Sequence, residues 1–363
     1  MNNPSSDHNY PNSKNNITQM MRFGKYQVHQ RIVYLTLGTI AAVLFIIINI
    51  LGTTYQTRHH SSEISLQGLK KSSQVKARYD ATDKLIEKLK HYGLWKIDSS
   101  REVPRFFIKN YPADLHAVKD ISLKKRVFLH ALLSHAFFVR EEALSKRQKL
   151  ETILGKINCP LEDISFDIGL EFENQCSWFD SLAEEEVNFI HNLTKVYRTE
   201  SAAGLLERVD AVPISIILAQ GAIESSWGSS RFTREGNSIF GMWTWKKNGI
   251  VPLRRDEGKT HKVKIYDSVL DSVRAYHLTL NRLDTYEEFR QYRKYTDDPL
   301  IMAEGLLPYS ERGQEYVNEI KKVIIFNKLQ KYDSYNLSDL DPAKLNSSVS
   351  KADVQIKPGN ASL

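Results

Sequence analysis

Glu224 is the side chain best placed to do chemistry. It lies near the end of the segment DAVPISIILAQGAIESSWG, residues 210–228. At 3.6 residues per turn, Ile214, Ile217, Leu218, Gly221, Ala222 and Ser225 fall on one apolar and small face. Glu224 follows Ile217 by seven positions and Gly221 by three, so it returns close to that face. A carboxyl there is partly withdrawn from water, and the negative end of the helix dipole further disfavours its charge. Both effects favour the protonated form, which a general acid needs if it is to protonate a leaving sugar oxygen near neutral pH. The plainer alternative is a structural ion pair with Arg231 or Arg234.

The next segment, SSRFTREGNSIFGMWTW, places Phe232, Phe240, Trp243 and Trp245 among Asn237, Ser238 and several small residues. Aromatic faces stack on the CH faces of sugars, and amides and hydroxyls bond sugar hydroxyls. Some of these rings belong to the core, and at least one is expected to line a groove. Gln220, Asn237, Phe240, Gly241, Trp243 and Tyr316 are the candidate sugar-binding residues. Farther on, HKVKIYDS alternates Val263 and Ile265 with Lys262 and Lys264, as a half-buried strand does. Arg254 to Thr260, with Gly258, reads as the turn of a hairpin. Its charged tip carries Asp256 and Glu257. Either could face Glu224 across a cleft as a second carboxylate; a solvated turn reads the same residues equally well. Tyr309 and Tyr316 flank a polar turn before a closing helix.

The elements that must position these groups are mostly helices. Asp210 reads as the cap of the acid-bearing helix, Pro213 as its first turn and Gly228 as its stop. Helical spacing is also predicted over 81–92, 122–152, 184–199 and 270–283, the last with Val273, Tyr276, His277 and Leu280 inward. The fold class is therefore α+β, dominated by helices, with one small sheet. The predicted organisation is a cytoplasmic disordered tail at 1–31, a transmembrane helix at 32–52, a linker at 53–75, a helical region at 76–200, a catalytic domain at 201–332 and a disordered tail at 333–363.

The membrane segment rests on the absence of charge from Ile32 to Thr57. Its apolar centre, Val33 to Leu51, would rise about 28 Å as a helix, roughly the thickness of a hydrocarbon core. Lys14, Arg22, Lys25 and Arg31 precede it, which puts the N-terminus on the cytoplasmic side and the bulk of the chain outside. A net charge of +7 over 363 residues points to an anionic partner or surface. With no zinc-finger spacing, no phosphate-cradling glycine loop and no basic run interleaved with aromatics, nucleic acid is not that partner. Cys159 and Cys176 are either one disulfide outside the membrane or two packed thiols. His130 and His135, five apart, do not share a helix face, and neither a metal nor a cofactor is expected.

Together the strings AQGAIESSWG, GNSIFGMWTW, RDEGKTHKVKIYDS, DSVRAYHLTLN and YSERGQEYV, over about 205–329, resemble the bacterial Bax-type proteins within the glucosaminidase group of glycoside hydrolase family 73. VPRFFIKNYPADL and LLERVDAVP extend the likeness upstream to about residue 80. The resemblance implies a lysozyme-like fold with a small β-hairpin lobe, endo-β-N-acetylglucosaminidase activity on peptidoglycan glycan strands, and a periplasmic domain held at the inner membrane. By position, Glu224 matches the family acid, and Asn237, Phe240 and Gly241 match the Asn…Phe-Gly element that shapes the sugar site. Tyr309 matches the tyrosine beside the cleft, ahead of Tyr316. The family's second carboxylate is matched by Glu257 or Asp256, although this hairpin departs from the usual family string. The substrate's acetamido group is the alternative nucleophile. A lytic transglycosylase and a non-catalytic wall-binding scaffold are the rival readings.

Overall fold

The computed structural model describes residues 20–23, 26–29, 77–78, 81–97, 101–166, 178, 181–253, 255 and 257–338. The chain divides into two compact units, 1–71 and 72–363. In the first, strands Met20–Phe23 and Tyr26–His29 pair antiparallel, with Met20 opposite His29. This ribbon lies inside the stretch read as an unstructured tail. The expected membrane segment 32–52 and linker 53–75 lie outside the described residues. Among the described residues, no helix is long and apolar enough to cross a membrane.

The second unit is built around a long helix, Ile121–Leu154. Asp120 caps it, its carboxylate accepting from the backbone N–H of Ser122 at 2.8 Å and of Leu123 at 3.1 Å. Between Val127 and Val139 every residue except His130 is buried. A helix buried around nearly its whole circumference must be packed on several sides. The acid-bearing helix Ile214–Glu224 covers one side and Val269–Arg282 another. Gly221 allows the first approach, since a Cβ there would stand 3.1 Å from Leu132 Cδ2. The region 76–200, read from sequence as a separate helical segment, thus belongs to the same compact unit as the site.

Around the far end of the long helix, a second apolar cluster gathers Leu150, Ile153, Phe166, Trp178, Ile190, Tyr197 and Leu205. Helices Glu184–Tyr197 and Ala202–Arg208 supply part of it, and Cys159, which is disulfide-bonded, packs against it. The sequence has a single other cysteine, Cys176.

The β content differs from the single sheet expected. Among the described residues of this unit it consists of two-stranded pairs: Ala77–Arg78 parallel to Ile108–Asn110, Glu102–Val103 parallel to Asn336–Leu337, and Trp243–Thr244 antiparallel to Lys262–Val263. The second pair draws in residues 333–338, which composition alone assigned to a disordered tail. Leu337 is buried, and this segment is tied down by Arg140, whose guanidinium donates to the Asp333 and Tyr335 carbonyls.

Candidate active site

The acid-bearing helix is buried at every position from Ile214 to Ala222. It is a central strut rather than an amphipathic surface helix. Pro213 occupies the N-cap, one place earlier than the spacing predicts, and lacks a capping side chain. Asp210 does not cap this helix; it bonds the Ala211 N–H and pairs with Arg147 at 3.2 Å. Its expected task falls to Asp333, whose carboxylate accepts from the Ser215 N–H at 2.9 Å. Sequence spacing could not reveal that contact, because the two residues lie 118 apart.

The helix ends at Glu224 in a Schellman arrangement. Ser226 N–H donates to the Ile223 carbonyl at 3.3 Å and Trp227 N–H to Ala222 at 2.9 Å. Ser226, Trp227 and Gly228 all have positive φ, at 49°, 58° and 77°. Positive φ is costly for a bulky residue such as Trp227, and it persists because packing over-determines it. The Trp227 ring meets Phe128 edge-on, at 6.1 Å between centroids. Gly228 is required twice over: by its φ, and because a Cβ would come within 3.0 Å of both Leu115 and Phe128. The strained turn swings the chain away immediately beyond the carboxyl and leaves Glu224 partly exposed at the end of the strut.

Glu224 accepts a 2.6 Å hydrogen bond from the Tyr316 hydroxyl. Tyr316 in turn accepts from Gln220 Nε2 at 2.9 Å, and Gln220 Oε1 accepts from the Tyr276 hydroxyl. A relay of three side chains thus ends on the carboxyl. Burial raises the pKa of Glu224 above the ordinary carboxylate value; the Tyr316 bond opposes that shift, and the charge of Glu319 adds to it. Tyr316 is itself pushed far up by burial and by Glu224, so it remains a hydrogen-bond donor. The ion-pair alternative does not hold: among the described residues Glu224 pairs with neither Arg231 nor Arg234, and Arg231 pairs with Glu235 at 3.2 Å. On the open side, Gly241 has φ +61°, and a Cβ there would lie 3.6 Å from Glu224 Oε2.

The loop from Asn237 to Met242 carries Gly241 past the acid. Asn237, at φ 51°, ends helix Arg231–Gly236, and its Nδ2 donates to the Tyr266 carbonyl at 3.0 Å. Ser272 Oγ holds the Ile239 N–H at 3.1 Å. Phe240 is buried and stacks on Tyr276, with centroids 3.9 Å apart and planes at 12°. The Tyr309 hydroxyl donates to the Phe240 carbonyl at 3.0 Å, while its ring lies parallel to that of Tyr316 at 5.7 Å.

Beyond the loop, the hairpin offers a platform in water. Trp243 is 56% exposed and Trp245 71%, and Trp243 stacks on His261 at 4.3 Å. Val263 faces inward as predicted, but Ile265 is exposed and Tyr266 takes the next inward place. The strand ends at Val263, so strict alternation does not extend to Ile265. Glu257 is exposed on the turn, and Asp256 lies outside the described residues. The carboxylate whose charge bears on Glu224 is Glu319, on the closing helix Gln314–Phe326, where Arg312 holds it at 2.7 Å.

The structure therefore gathers Glu224, Gly241, Tyr309 and Tyr316, with Phe240 supporting them from the core. Of the two tyrosines, Tyr316 makes the contact with Glu224 and Tyr309 bonds the Phe240 carbonyl. Gln220, at 0% exposure, supports the acid from behind and faces no groove. Asn237 spends its amide donor on the backbone. Sequence reasoning did not reveal Tyr276, whose helical phase marks it as core; a buried phenol needing a partner is the only signal it offers. Among the described residues, no three His, Cys, Asp or Glu side chains converge as metal ligands would.

Comparison with known proteins bears on the same stretch. Residues 199–331 match the model of the family described as Glucosaminidase, mannosyl-glycoprotein endo-beta-N-acetylglucosaminidase. The protein bax of Escherichia coli (strain K12) is 36% identical over 120 residues, which span 31% of this chain and 42% of that protein. The match thus covers less than half the length of that relative. The exo-glucosaminidase LytG of Bacillus subtilis (strain 168) is 25% identical over 224 residues, 58% of this chain and 76% of that one. Two solved structures align with TM-scores of 0.26. One is the catalytic domain of the autolysin Auto from Listeria monocytogenes, at 17% identity over 42% of this chain and 89% of that one. The other is a glycoside hydrolase domain of FlgJ from Salmonella typhimurium, at 21% identity over 39% and 97%. Over residues 199–331, this chain carries a domain that matches the glucosaminidase family.

Proposed function

We propose that the chain is a peptidoglycan hydrolase, an endo-β-N-acetylglucosaminidase with Glu224 as general acid. The observation that carries this reading is a carboxyl whose pKa is raised by burial, at an open helix end, with a tyrosine relay behind it and a glycine in front. Trp243, on the exposed hairpin platform, stacks on the sugar rings of the strand. Glu224 gives its proton to the glycosidic oxygen as the bond to the anomeric carbon breaks. The substrate's acetamido oxygen meets the anomeric carbon from the opposite face. A water then replaces it and returns a proton to Glu224. Tyr316 holds Glu224 in place, and Tyr309 fixes the Phe240 carbonyl and so the Gly241 edge of the groove. Asp256 and Glu257 are the hairpin carboxylates available to the far side of the sugar. The segment 32–52 anchors the protein in the inner membrane, with residues 76–332 in the periplasm. The charge-free stretch and its basic cytoplasmic flank support that placement.

Mass spectrometry of digested peptidoglycan tests the reading, with Glu224→Gln run beside the parent protein. Internal strand breaks ending in reducing N-acetylglucosamine, absent from the variant, are expected. Anhydro ends would instead make the protein a lytic transglycosylase. Release confined to strand ends would make it an exo-enzyme, as the name of the Bacillus relative describes that protein. A folded protein that binds strands without cutting them would be a scaffold.

A further inference from the structure

An open concavity of about 450 Å³ runs along the closing helix Gln314–Phe326. Val323 and Phe326 form its apolar floor, and Lys125, Lys322 and Asn327 stand around it. Phe326 is 81% exposed, although the helix has a buried face available through Tyr316, Val317, Ile320 and Ile324. One charge effect and one ring contact link this groove to Glu224. Glu319 lines it, and Glu319's charge reaches Glu224. Lys125 Nζ lies 4.5 Å from the ring centroid of Trp227, on the strained turn that follows Glu224, and 5.7 Å from that of Phe326. Arg312 answers Glu319 at 2.7 Å, whereas among the described residues neither Lys125 nor Lys322 forms an ion pair. The groove therefore presents two ammonium groups without an ion-pair partner beside apolar surface, one of them against the turn that follows Glu224.

We infer that this groove takes the carboxylate-bearing peptide branch of the glycan strand, and so reads whether the sugar beside the cleaved bond still carries its peptide. The inference rests on the hydrolase reading. The sugar backbone of a strand has little charge to offer two lysines, whereas the branch brings carboxylates together with alanine methyl groups that suit the floor. Concavity and the Lys125 contact with Trp227, three residues past Glu224, favour a substrate branch over a flat anionic lipid surface.

The test measures binding of two probes to the Glu224→Gln protein: glycan strands with peptides intact, and the same strands stripped by an amidase, the lactyl carboxylates it frees then capped as simple amides. Loss of two exposed ion pairs weakens binding by about fivefold, so intact strands should bind about fivefold more tightly than stripped ones. The double change Lys125→Gln and Lys322→Gln should abolish that preference and leave stripped-strand affinity unchanged. Lys322→Gln alone, at an exposed position, should reduce it in part. Raised salt should erode the preference too. Equal binding of both probes by the parent overturns the inference, as does a variant that loses both probes alike. Loss of binding to phosphatidylglycerol vesicles with strand binding intact would turn the groove into a membrane contact. Branch-dependent binding by a protein that never cuts would remove the hydrolase reading and keep the groove; cutting with branch-independent binding would do the reverse.

Discussion

Replacing Tyr316 by Phe removes one oxygen from the centre of the site and keeps the ring. Two bonds go with it: the 2.6 Å donation to Glu224 and the 2.9 Å acceptance from Gln220. Gln220 is fully buried, so its Nε2 is left without an acceptor, at a stability cost of about 1–3 kcal/mol. The hydroxyl favours the ionised form of Glu224, so its loss pushes a pKa already raised by burial higher still. A hydrogen bond to a charged group contributes about 1.5 kcal/mol at the low end, and 1.36 kcal/mol corresponds to one pH unit. The basic limb of kcat/KM against pH, measured on purified peptidoglycan, should therefore move upward by about one unit. Urea melts in parallel should show the stability loss even at pH 4, where Glu224 is protonated and only the Gln220 cost is felt. A basic limb that stays put or moves down would refute the claim that this limb reports Glu224 and that Tyr316 biases it.

Glu224→Gln should stabilise the protein in a pH-dependent way. A folded-state pKa above the unfolded one means that the acid's contribution is complete below the unfolded value, near 4.5, and is lost as pH rises through the folded value. The melting temperature of the variant relative to the parent should thus climb between pH 4 and 8, and a flat difference would contradict the raised pKa. Gly241→Ala puts a side chain at φ +61° beside Glu224 Oε2, costing about 1–2 kcal/mol of stability and lowering kcat, as melts and single-turnover rates would show. Trp243→Ala removes an exposed stacking surface, so KM on glycan strands should rise roughly tenfold, from about 1.4 kcal/mol of lost stacking, with the melting temperature nearly unchanged. Gly305→Ala would place a Cβ 2.3 Å from the Phe289 backbone, and a loss of more than about 2 kcal/mol is expected in denaturant unfolding.

Much of this was legible without coordinates. The period of the apolar residues located the helices at 121–154, 184–197 and 269–282 to within a few residues, because burial of one face imposes that period. The same reasoning singled out Glu224, since a carboxyl returning to an apolar face is out of place unless it has work to do. The aromatic density after the helix marked Trp243, which the fold leaves exposed, together with Phe240, which it buries. Spacing cannot tell these two apart, because a ring suits a core and a groove equally well.

Tertiary structure decided whatever depends on partners distant in the chain. Tyr316 meets Glu224 across 92 positions, Gln220 meets Tyr276 across 56, and Asp333 caps the acid's helix across 118. Each is a directional bond, short in range and blind to periodicity, so no local pattern announces it. Hydrophobic burial is non-directional and written into the order of residues. That is why the sequence alone could point to Glu224, while the fold alone chose which tyrosine bonds it.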